Sequence, residues 1–113
     1  MNLFLSFLLS ISFANDVETE LLNAISKGNY NQVNTILIVN QIHATEKING
    51  KPLLVHAVLA DKANIVYLLC LRGAQPYADF CDEGYSAMDW AKKSGSYYAR
   101  AELIMISTRK GIK

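Results

Sequence analysis

Few residues in this chain have the type and spacing to do chemistry. Asp82 and Glu83 are adjacent carboxylates, the groups that general acid–base work uses. Neighbouring loop positions point different ways, and no hydrophobic stretch stands beside them to raise one pKa, so they read as a solvated loop tip. His43 and His56 are far apart and unaccompanied. Cys70 and Cys81 lack a second Cys or His pair at ligand spacing, which excludes a zinc site of the usual kind. An exported protein could join the two thiols, but eleven residues and a helix end separate them, and a disulfide there is geometrically demanding. No nucleophile elbow, phosphate-binding glycine loop or His-Glu-x-x-His run is present. The expectation is a protein with no catalytic residue, no cofactor and no metal.

The elements that position these residues emerge from comparing the chain with itself. Gly50-Lys51-Pro52-Leu53-Leu54-Val55-His56-Ala57 lies on Gly84-Tyr85-Ser86-Ala87-Met88-Asp89-Trp90-Ala91 at an offset of 34. A stretch with helical apolar spacing follows each block, Ile65 to Cys70 in one and Ala99 to Ile106 in the other. Upstream, Leu21 to Gly28 precedes Val33, Ile36 and Leu37. Ala24, Ala57 and Ala91 recur at intervals of 33 and 34. A small residue there lets two helices approach closely. Gly28, Asp61 and Gly95 stand four residues later, where the first helix of each unit must end in a left-handed turn. Gly73 ends the second helix of the middle unit, and Asn40 is expected to take the matching left-handed position in the first. Each unit therefore reads as helix, tight turn, helix, then a loop.

This pattern resembles the ankyrin repeat. The family's Gly-x-Thr-Pro-Leu-His-x-Ala, then Gly, then an Ile-Val-x-Leu-Leu helix and Gly-Ala, is similar to residues 50–74. Pro52 stands where the family has Thr and Leu53 where it has Pro, while Leu54 and Ala57 match. The resemblance covers residues 16–106, with units at about 16–40, 47–74 and 81–106 of a domain spanning 15–113. It implies an all-α fold, an ankyrin-repeat solenoid of helix-turn-helix units with projecting loops.

Composition bounds the partners. Eleven Lys and Arg against ten Asp and Glu leave a formal charge of +1, without the basic excess that nucleic-acid binding usually shows. All 21 charged side chains follow Ala14, and residues 3–14 are uncharged and mostly Leu, Phe and Ile. Twelve helical residues span about 18 Å, too short for a bilayer core, so the run fits a signal peptide over residues 1–14, with Ser12 and Ala14 as the small residues before the cut. No Lys or Arg precedes it, and two other readings stay open: an uncleaved anchor, and a helix packed on the domain as a cap. Export would place the domain in the periplasm or outside the cell, with no membrane contact in the mature form and a monomer when free.

Recognition in the ankyrin family runs through the projecting loops and the exposed side of each first helix. The resemblance implies partner-binding residues at Ile48, Asn49, Lys51, Leu59, Asp82, Glu83, Tyr85 and Lys93. Phe80 joins them from the same late aromatic cluster as Tyr77 and Tyr85, unless it tucks under its own loop. The loop between units two and three spans eleven positions from Gly73 to Gly84 against ten from Asn40 to Gly50, so one residue is expected to bulge outward. His56 is expected to pack between units with its ring nitrogen satisfied. Three functional classes follow: an inhibitor or immunity protein that neutralises a toxic enzyme, an assembly or maturation factor for an envelope enzyme, and an enzyme or sensor using His56 and the carboxylates, which no motif supports.

Overall fold

Apolar residues at three- and four-residue intervals build three pairs of antiparallel-running helices joined by tight turns. The computed structural model describes residues 17–109, and the expected leader at 1–14 lies outside them. Residues 17–27 form α1, burying Leu21, Ala24 and Ile25. α2 (Tyr30–Val39) starts at Asn29, whose side chain accepts the Gln32 N–H, and buries Val33, Ile36 and Leu37. α3 (Leu53–Leu59) follows Pro52, and α4 (Ala63–Leu71) packs beside it. α5 (Ala87–Ser94) opens with a capping box in which Ser86 and Asp89 each satisfy the other's backbone N–H. α6 (Tyr97–Arg109) completes the third pair.

The recurrent alanines sit where the spacing predicts. Ala24, Ala57 and Ala91 are all buried in the core, where even a small gain in volume is felt. The three turn residues all take positive φ: Gly28 at 69°, Asp61 at 55° and Gly95 at 69°. The first two turns are also tied to the next unit. Asn64 on α4 donates to the Gly28 carbonyl at 2.7 Å, and Asp61 accepts the Ala99 N–H of α6 at 2.8 Å.

One core runs through all three pairs, and the last pair covers it with polar residues. Val55, Val58 and Val66 are fully buried in the middle unit. At the matching positions of the last unit stand Asp89, Lys92 and Arg100, all exposed.

Two features depart from the sequence expectations. Lys47–Ile48 and Lys51–Pro52 form a two-stranded antiparallel ladder, so the loop before α3 is a β-hairpin within an otherwise helical chain. Its two-residue tip is Asn49-Gly50, with φ of 55° and 77°, the pairing a tight twisted hairpin requires. The second departure is Asn40, which is not left-handed: its φ is −96°. Its N–H and its Nδ2 both donate to the Ile36 carbonyl, at 3.1 and 2.9 Å, and hold it at the end of the helix. Gln41 takes the left-handed turn instead, at φ 54°. Counted from the true turn residues, the later loop spans eleven positions against nine, so it is longer by two residues and not by one.

Candidate functional site

The loop tips of the second and third units meet along one edge of the stack. The peptide N–H of Asp82 donates to the Gly50 carbonyl at 2.8 Å. A side chain on Gly50 would strike the Asp82 carboxylate, because a Cβ built there lies 2.7 Å from Oδ2. Lys47 Nζ pairs with Asp82 Oδ1 at 3.1 Å, and Lys51 Nζ pairs with Glu83 Oε1 at 3.5 Å. Such exposed pairs contribute about 0–1 kcal/mol each, so they fix the relative register of the tips more than they stabilise the fold. The two adjacent carboxylates are thus engaged by different lysines of the preceding hairpin.

Trp90 organises the rest. Its indole N–H donates to Cys81 Sγ at 3.3 Å, and the edge of its ring meets Tyr85 with centroids 5.7 Å apart at 75°. Lys51 Nζ lies 5.7 Å from the Trp90 ring centroid, and Lys93 Nζ lies 4.6 Å from that of Tyr85. Glu83, Lys51, Trp90, Tyr85 and Lys93 therefore form one continuous chain of contacts across two units. Burial pushes the Cys81 thiol up, but hydrogen bonding from Trp90 and from the backbone of Tyr85 and Glu83 outweighs it, and its pKa falls below the ordinary value. In the middle unit His56 plays the part of Trp90: its Nε2–H donates to the Ile48 carbonyl at 2.8 Å and ties α3 to the hairpin.

The sequence-predicted contact residues divide. Asn49, Leu59, Phe80, Asp82, Glu83, Tyr85 and Lys93 are exposed. Lys51 is half-buried between Glu83 and Trp90. Ile48 is a correction: it is only 7 % exposed, because strand pairing turns its side chain into the core. Phe80 is 48 % exposed, so its ring does not tuck under the loop. Asp79 faces its own chain, with Oδ2 accepting the Gln75 N–H at 2.9 Å. Trp90 is the residue missed as a contributor to this face; its spacing from His56 in the repeat marked the position without revealing the Tyr85 and Lys51 contacts.

Cys70 and Cys81 are both buried and are not joined in a disulfide. Among the described residues no group of three His, Cys, Asp or Glu could hold a metal ion, and no helix is long and apolar enough to cross a membrane. Exposed rings beside fixed charges are suited to binding a protein surface, where aromatic residues supply contact area at low entropy cost. No family model, curated protein or solved structure matches the chain.

Proposed function

We propose that this chain is a three-unit ankyrin-repeat solenoid that binds another protein outside the cytoplasm, as an inhibitor or immunity protein for a toxic enzyme. The observation that carries the reading is the exposed Phe80 and Tyr85, with Tyr85 braced by Trp90 and Lys93 beside the locked loop tips. A ring held in place before binding loses less freedom on contact, which favours it as an anchor. The repeat spacing, the buried alanines and the positive-φ turn residues support the ankyrin assignment. The uncharged run at residues 3–14 supports export. An assembly factor for an envelope enzyme would use the same face. Affinity capture from an envelope extract, run side by side with wild-type chain and a Phe80→Ala/Tyr85→Ala double variant, separates this face from the rest of the surface. A protein retained equally by both would move the site elsewhere.

A further inference from the structure

The second helices of the three units carry a feature that neither the core nor the loop tips explain. Ile38, Leu71 and Met105 occupy matching positions at intervals of 33 and 34, and are 55, 64 and 52 % exposed. They form an apolar row across the outer side of α2, α4 and α6, roughly 20 Å long if neighbouring helices lie ~10 Å apart. Three repetitions of the same exposed apolar choice are not scattered surface residues. A groove of about 250 Å³ opens beside the row, lined by Tyr67, Cys70, Leu71, Ile106 and Arg109.

The exposed charge around the row is mostly positive, with one carboxylate set beneath it. α2 and α4 contain no charged residue. Arg72 crosses from the end of α4 to donate to Asn34 of α2 at 2.8 Å, and Arg109 reaches from α6 to within 5.9 Å of the Tyr67 ring. The one carboxylate on these helices, Glu102, is bound to Arg109 at 3.0 Å and mostly covered. A second copy set face to face would bring like arginines together with no free carboxylate between them, which disfavours a symmetric dimer. The occupant must supply both apolar depth and negative charge.

We propose that the outer face of α2, α4 and α6 docks on an anionic lipid surface, with Ile38, Leu71 and Met105 entering the acyl boundary and Arg72 and Arg109 meeting the headgroups. This adds a membrane contact to a domain whose sequence led to none being expected. The proposal is independent of the loop-tip binding reading, since the two faces share no residue.

Met105 provides the readout, because it is exposed while Met88 is buried and serves as an internal control. The full chain is treated with peroxide, and sulfoxide formation at each methionine is followed by peptide mass spectrometry. Vesicles containing phosphatidylglycerol should slow oxidation of Met105, and phosphatidylcholine vesicles should not. Leu71→Ser should weaken the vesicle affinity read from Met105 roughly tenfold. Arg72→Gln and Arg109→Gln should each weaken it roughly fivefold, and added salt should do the same. Equal protection by both lipids would mean that an uncharged segment alone holds the chain at the vesicle, and would overturn the proposal. Unchanged oxidation on vesicles, or protection that rises with protein concentration in their absence, would overturn it as well.

Discussion

Asp61 Oδ1 accepts the backbone N–H of Ala99 at 2.8 Å, so a turn residue of the middle unit caps the second helix of the last one. The natural local cap, Ser96, has its hydroxyl 2.6 Å from that of Ser94. Asp61 departs from the glycine of the other two turns because it serves two ends at once. It closes its own turn at positive φ and satisfies an orphan donor 38 positions later.

Asp61→Ala should therefore cost roughly 2–3 kcal/mol, combining a lost cap with a left-handed backbone that alanine dislikes. Asp61→Gly relaxes the backbone and loses the cap, while Asp61→Asn keeps an oxygen acceptor and tolerates the turn. Urea midpoints should rank wild type and Asn above Gly, and Gly above Ala. If alanine matched wild type, the inter-unit cap would contribute nothing.

Ala57 lies with no exposed surface among the helices of the middle unit. Ala57→Leu should overpack that contact at a cost of roughly 1–3 kcal/mol. A stack of three units has little reserve, so thermal unfolding should shift down clearly. An unchanged melting curve would show that the helices at this position are not in close approach.

How legible these relationships were in the sequence depends on their range. Ala24, Ala57, Ala91 and the turns at Gly28, Asp61 and Gly95 could be read because residue type and spacing impose them locally. The hairpin escaped because strands of two residues leave no alternation to detect, although Asn49-Gly50 is itself the strongest short hairpin signal. Ile48 reads as a surface residue in the sequence because its inward turn depends on that pairing. Asn40 has the right intrinsic preference for a left-handed turn, yet two hydrogen bonds to Ile36 outweigh it. Trp90 was visible by position, but its role required knowing that Lys51 and Tyr85 reach it from two different units.

Gly50 and Gly84 share a positive φ and differ in what surrounds them. A Cβ at Gly50 meets Asp82, whereas one at Gly84 meets nothing within 4 Å. Gly84→Ala should show only the backbone penalty, about 1–2 kcal/mol. Gly50→Ala should cost more and should also loosen the Lys47–Asp82 register. Equal midpoints in chemical unfolding would mean that the two tips are not locked together in solution.

The backbone N–H of Ser86, donating to Oδ2 at 3.0 Å, and secondly its hydroxyl hold the Asp89 carboxyl below the usual carboxylate range. A carboxyl depressed in the folded state contributes stability that is present above its unfolded value, about 3.9, and is lost as pH falls through the folded value. Stability should therefore decline below about pH 4 in wild type, and less steeply in Asp89→Asn. Parallel pH profiles for the two proteins would show that the capping box does not form.

Binding of a protein partner at the loop-tip face would be read out by a single affinity comparison. The wild-type chain and a Phe80→Ala/Tyr85→Ala/Lys93→Ala variant are titrated against the partner recovered by capture, with melting temperature followed on the same samples. Truncating anchors at the centre of an interface should lower affinity by roughly a hundredfold or more, while leaving the melting temperature within a few degrees of wild type. Full affinity in a variant of undiminished stability would contradict the account.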